Sequence, residues 1–272
     1  MHFRVAHTPD ADDAFMFYAM LNRKIPLFFE VENIVEDIET LNIKAMSGIY
    51  EVTAISVYTY AFVSEIYRIL SSGASVGDGY GPIVVAKERV DLNKALIAIP
   101  GKYTTASLLL KLSCKARTVE MRFDKILEAV KTEKVDAGLL IHEAQLNFED
   151  YGLRKIFDLY EWWNSITGLP LPLGINVIKR DLHIKIQREF LKMMKMSVRY
   201  AIENVEEALN YAERFSRGLD RERLRKFVKM YVNENTLEMS RNVEKAIKVI
   251  FELAEQRGVV KKPFLDVLYD VG

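Results

Sequence analysis

The sequence is poor in the residues from which covalent and metal scaffolds are built. One cysteine is present, Cys114 in the run ASLLLKLSCKA, which excludes a disulfide framework and a cysteine metal cluster and suits a core filler. The four histidines, His2, His7, His142 and His183, show no H-x-x-x-H spacing, so no metal is expected. Charge of one sign is lacking as well: 38 Lys and Arg balance 38 Asp and Glu without a basic run, which argues against a nucleic-acid partner. No segment approaches the ~20 apolar residues of a membrane span. The opening MHFRVAHTPDADDAF has no apolar stretch fit for a signal peptide and turns acidic within about ten residues, so a cytoplasmic protein is expected. The phosphate-loop pattern G-x-x-x-x-G-K-[ST] is missing, no serine elbow is expected and no cofactor motif occurs, so no cofactor is expected.

What remains is a chain of 272 residues, 50% hydrophobic and 28% charged, able to bury a core at the size where one domain often becomes two. Short β-branched or aromatic runs alternate with amphipathic ones: FRVAH then DAFMFYAMLNR, LFFEVENIVED then IETLNIKAMSG, EVTAISV then YTYAFVSEIY. This is the pattern of βαβ units on a mainly parallel sheet, with Gly48 closing the second helix. A glycine-rich turn, residues 73–81, leads into a strand near 82–88; its order is wrong for a dinucleotide loop, which needs a strand before and a helix after. A second βα series follows: ALIAIP with TTASLLLKLSCKA, TVEMRF with DKILEAVKTE, and DAGLLIH with a helix over EAQLNFEDYG. After LRKIFDL, the stretch EWWNSITGLPLPLG reads as hinge-like, with core tryptophans at 162 and 163, and a strand lies near 171–180. From Asp181 the chain reads as helical.

Two βα series joined by two strand-like segments predict an α/β, two-lobed periplasmic-binding-protein-like (type II) fold with an interlobe cleft. Residues 1–86 and 178–272 would form the first lobe, with the C-terminal helices, and 87–177 the second. In such folds the ligand lies beyond the carboxyl ends of the strands. His142 ends the strand GLLIH at that edge; the alternatives are a proton acceptor and a histidine bonded to backbone. Thr104, Thr105 and Ala106 open a helix after Pro100-Gly101, offering either a threonine cap or an anion site made of N–H groups. Asp10, Asp12 and Asp13 precede or open the first helix; Asp12 or Asp13 suits a helix cap, and Asp13 a cleft-facing role. Ala54, Ile55 and Ser56 end a strand, with the Ser56 hydroxyl at its edge. Asn42 sits inside a helix where asparagine has no propensity advantage, so it is either exposed or turned to the cleft.

Six phrases in fixed order carry more than these local signals: TPDADDAFMFYAM, VEDIETLN, GASVGDGYGPIVVAK, IPGKYTTA, GLLIHEAQLNF and EWWNSITGLPLPLG. From about Val5 to Gly174 the chain resembles the 1,4-dihydroxy-6-naphthoate synthase family of the futalosine route of menaquinone (vitamin K2) biosynthesis. The resemblance implies a cofactor-free carbon–carbon lyase that converts cyclic dehypoxanthinyl futalosine, a carboxylate-bearing small molecule, into 1,4-dihydroxy-6-naphthoate. It assigns the proton-acceptor role to His142 and substrate contact to Ala54–Ser56 and Thr104–Ala106. The chain departs from the family's usual pattern at Asp10 in place of a thiol, Asp12 in place of an amide and Ala144 in place of a glycine. Two other readings share the fold: a chorismate dehydratase-like enzyme, and a non-catalytic protein that binds a small carboxylate.

Overall fold

The computed structural model describes residues 2–216 and 219–270. In chain order the strands are β1 (His2–His7), β2 (Glu30–Val35), β3 (Val52–Ser56), β4 (Tyr67–Leu70), β5 (Ser75–Gly77) and β6 (Ile83–Ala86). They continue as β7 (Leu96–Ile99), β8 (Arg117–Glu120), β9 (Ala137–Leu140), β10 (Arg154–Asp158), β11 (Leu171–Lys179) and β12 (Val267–Leu268). The helices are α1 (Ala11–Leu21), α2 (Ile38–Met46), α3 (Tyr60–Val63), α4 (Thr105–Ser113), α5 (Ile126–Lys131) and α6 (Leu159–Thr167). The C-terminal set is α7 (Ile184–Glu203), α8 (Val205–Ala212), α9 (Arg221–Tyr231), α10 (Glu234–Leu237) and α11 (Arg241–Gln256).

One sheet runs β12-β4-β11-β3-β1-β2, with β5 also paired to β11, and the other runs β10-β6-β9-β7-β8. Neighbours β2, β1 and β3 are parallel, as are β8, β7 and β9, in keeping with the βα alternation. Strand β11 is antiparallel to β3, β4 and β5, and β6 is antiparallel to β9 and β10. Both sheets are therefore mixed, not mainly parallel, because β6 and β11 each arrive from the opposite sheet instead of through a βαβ crossover within one. Ile83–Ala86 pair in the second sheet and Leu171–Val177 in the first, each on the far side of the expected boundaries at 86/87 and 177/178. A strand belongs to the sheet that satisfies its backbone groups, and periodicity alone does not reveal which that is.

Helices α1, α7, α8 and α9 cover one face of the first sheet, burying Phe3, Val5, Phe17, Phe190, Met194 and Phe227 together. A second apolar cluster is continuous from Ile55 and Val177 through Ile247 and Phe251 of α11 and Leu108–Leu110 of α4 to Val84, Ile97 and Leu139. The sheets thus share a packed base, and the ends of β1, β3, β7 and β9 carry the residues of the site described below.

Several local expectations change. EAQLNFEDYG forms two 3-10 turns, His142–Leu146 and Phe148–Tyr151, instead of one α-helix. His142 opens the first of them at φ +57°, a left-handed conformation in which an α-helix cannot start. The hinge-like stretch is instead α6 followed by the start of β11; Trp163 is fully buried and its Nε1 donates to the carbonyls of Leu169 and Pro170, both at 3.0 Å. The helical tail ends in β12, whose Val267 pairs with Ile69 of β4. Gly48, at φ +61°, ends α2 as expected. Among the described residues no helix is long and apolar enough to cross a membrane.

Candidate active site

The loop after β1 turns into α1 at Asp10, which holds the N-cap position in an extended conformation, yet its side chain makes no capping bond. Its Oδ2 lies 2.9 Å from Nδ1 of His142, with Asp10 2% and His142 17% exposed. Asp12 and Asp13 fall in the first turn of α1, where neither caps. Asp13 Oδ2 accepts from both the N–H and the hydroxyl of Thr8 at 2.7 Å, which folds the loop back on itself. Asp12 Oδ2 accepts from the Ser75 hydroxyl at 3.2 Å. Burial raises the pKa of both carboxyls; for Asp12 the charges of Asp13 and Asp10 add to it while His142 opposes it, and for Asp13 the two Thr8 bonds oppose it.

Across the cleft, β9 delivers His142. All four residues of that strand are buried, and a side chain at Gly138 would place its Cβ 2.4 Å from Ile126, so only glycine lets α5 pack there. The Phe123 and His142 rings meet in a T-shaped contact, with centroids 5.1 Å apart and planes at 74°. The next residue, Glu143, is buried and its Oε1 accepts from the Ala11 N–H at 3.4 Å. The Gln145 amide meets the Tyr231 hydroxyl at 2.9 Å, tying this turn to α9.

The third wall is the N-terminus of α4. Thr104 caps it: its Oγ1 accepts from Ser107 N at 3.2 Å. The Thr105 hydroxyl donates to Leu173 O at 2.7 Å and accepts from Tyr58 N at 3.3 Å, so this side chain joins the sheets. The N–H groups of Thr105 and Ala106 are left without intrahelical acceptors, as at any helix start. Ser56, ending β3, is held from behind by Asn42: Ser56 N donates to Asn42 Oδ1 at 2.9 Å, and Asn42 Nδ2 donates to Ser56 Oγ at 3.2 Å. Asn42 also donates to the buried Glu39 carboxylate at 3.2 Å, which in turn accepts from Tyr103 N at 3.1 and 3.2 Å. Desolvation raises the Glu39 pKa against these bonds. At Gly101 a Cβ would come within 2.4 Å of that carboxylate.

These walls enclose one cavity, about 700 Å³ of non-atom space including its open mouth. His142, Thr104, Thr105 and Ala106 line it from the second sheet, and Ala54, Ile55, Ser56 and Asp13 from the first. Asn42 does not line it; at 0% exposure it is neither on the surface nor in the cleft, and it acts as a brace behind Ser56. Sequence reading passed over Ser75, Gln145, Asn176 and Tyr231, which also line the cavity, and the meeting of Asp10 with His142. Gly73–Gly77 does spell G-x-S-x-G, contrary to the expectation that no such pattern occurs. Ser75, however, lies within β5, paired to β11, and not on the strand-to-helix turn that such a nucleophile needs. Among the described residues no group of three His, Cys, Asp or Glu could hold a metal ion.

A family profile described as menaquinone biosynthesis matches residues 3–256. A 1,4-dihydroxy-6-naphthoate synthase of Thermus thermophilus is 38% identical over 258 residues, covering 94% of this chain and 95% of that protein. The chain belongs to this menaquinone-biosynthesis family. A 1,4-dihydroxy-6-naphthoate synthase of Streptomyces coelicolor is 31% identical over 265 residues, covering 94% of each chain. A crystal structure of an Archaeoglobus fulgidus protein, 56% identical, matches with a TM-score of 0.94 over 95% of this chain and 98% of that one. At 12% identity the alkanesulfonate-binding protein of Xanthomonas axonopodis pv. citri matches with a TM-score of 0.75 over 96% of this chain and 94% of that one, which shows the fold alone. The family fold is thus the expected two-lobed, periplasmic-binding-protein-like one, and membership makes the protein an enzyme of menaquinone biosynthesis.

Proposed function

We propose that the protein converts cyclic dehypoxanthinyl futalosine into 1,4-dihydroxy-6-naphthoate as a carbon–carbon lyase, with His142 as general base. One observation carries the reading: His142, at the carboxyl end of β9, and the amide-rich start of α4 line the same cavity. A neutral imidazole there takes a proton from the substrate, and the Thr105 and Ala106 N–H groups receive the negative charge that develops. Ser56 Oγ already accepts from Asn42, so its own proton is the one available to a substrate oxygen. General-base help of this kind is typically worth about 10²–10⁴-fold, and oriented donors contribute comparably. Aromatisation of the product ring supplies the driving force. The two sheets act as lobes around the substrate, joined across the cleft by Glu39 to Tyr103 and by Thr105 to Leu173.

Incubation with cyclic dehypoxanthinyl futalosine, followed by mass spectrometry, tests the assignment: naphthoate is expected. Intact substrate would mark a binding protein, and loss of water from chorismate instead would mark a dehydratase. His142→Ala should lower turnover by at least ~10²-fold while calorimetry still detects ligand binding. Near-normal turnover removes His142 from the base role.

A further inference from the structure

Asp10 occupies a helix-capping position and gives up the capping bond that aspartate ordinarily makes there. Its carboxylate reaches across the cleft to Nδ1 of His142, while Glu143, beside that histidine, sends its own carboxylate back to the Ala11 N–H at the start of α1. The two acidic side chains have in effect exchanged duties between the sheets. His142 holds the left-handed φ of +57°, a conformation that a side chain with a β-carbon adopts only where its surroundings fix it. The uncapped helix start, the left-handed backbone and the exchanged carboxylates all meet at His142.

We propose that Asp10 is a positioning residue for His142, its carboxylate accepting the Nδ1 proton so that the imidazole is held in one tautomer with Nε2 as the basic nitrogen. This inference rests on the reading of His142 as base. An imidazole without such a partner divides itself between tautomers and ring flips, and only one arrangement presents Nε2 to a substrate proton. Asp10 also stabilises the imidazolium formed when that proton is taken. Asp10 follows the first strand of one sheet and His142 the end of β9 in the other, so the alignment of the base depends on how the two sheets meet at the cleft. Among the described residues, Asp12 and Asp13 on α1 and Tyr231 on α9 share the cavity with the ring, and Glu143 lies beside it in its own turn. On the turn that carries Phe123, Asp124 is paired with Arg122 at 3.0 Å.

The test compares wild type, Asp10→Asn and Asp10→Glu by nitrogen NMR of histidine-labelled full-length protein, with the His142 signals assigned through His142→Gln, and by pH profiles of turnover. Removing the anion disfavours the imidazolium, so in Asp10→Asn the His142 titration and the acid limb of kcat/KM both move to lower pH. In the same variant kcat falls by roughly 10²-fold with little change in KM, and Asp10→Glu recovers part of the loss. A His142 titration and tautomer signature unchanged in Asp10→Asn overturns the proposal, and so does a drop in kcat with the acid limb unmoved, which a merely structural role would give. If His142→Gln turns over normally, the base assignment itself fails; the ring titration still reports the pairing, which then has no role in turnover.

Discussion

Replacing Asn42 by alanine perturbs the site without touching its lining. The asparagine is fully buried and makes three bonds: one accepted from Ser56 N at 2.9 Å, one donated to Ser56 Oγ and one to Glu39 Oε2, each at 3.2 Å. Truncation leaves the Ser56 N–H buried without an acceptor, which costs about 1–3 kcal/mol. The void left by the amide and the loss of the two donated bonds bring the expected total to about 3 kcal/mol. At an unfolding entropy of about 2.1 cal/mol/K per residue, the 272-residue chain would melt roughly 5 °C lower. Ser56 also loses the hold that fixes its hydroxyl at the cavity wall, so KM should rise more than kcat falls. Asn42→Asp supplies the contrast: it keeps the acceptor for Ser56 N but sets a second carboxylate against Glu39, whose pKa burial already raises, so its deficit grows with rising pH. Scanning calorimetry and steady-state kinetics read these outcomes. A melting point within about 1 °C of wild type, together with an unchanged KM, would refute the brace.

Two further perturbations follow from the same geometry. Asp12 has its folded pKa raised by burial above the unfolded value, so its contribution to stability is present at low pH and is lost as pH rises through that raised value. Asp12→Asn should therefore raise the melting temperature, by the equivalent of about 1 kcal/mol or more near pH 8, with the gain shrinking toward about pH 5; a gain independent of pH would contradict this. At His142, the left-handed backbone predicts that His142→Gly is more stable than His142→Ala by about 1 kcal/mol, as read by denaturant unfolding, since only glycine relieves the strain.

Much of the site was legible because its signals are local. The Thr104 cap is visible in a threonine that follows Pro100-Gly101 and precedes an apolar helical run, and His142 is visible as the polar stop of the buried run GLLI. Six ordered phrases then tied those positions to a family whose profile spans residues 3–256. Asn42 was misplaced because a polar residue within a helical pattern reads alike whether it faces solvent, ligand or a buried strand end. Tyr231 carried no signal: it belongs to the apolar face of α9, and it reaches the cavity only because α9 packs beside β5 and the turn that follows β9.

The chain by itself determined the two successive βα series, the apolar stripes that their elements bury and the identity of the residues at the strand ends, all of which depend on spacing within a few residues of one another. The tertiary structure decided that β6 and β11 run antiparallel in mixed sheets, that Asn42 stands behind Ser56, and that Asp10 meets an imidazole 132 residues further along. Those outcomes depend on which sheet satisfies each strand and on how two sheets share one apolar base, and contacts of that kind leave no periodic trace in the sequence.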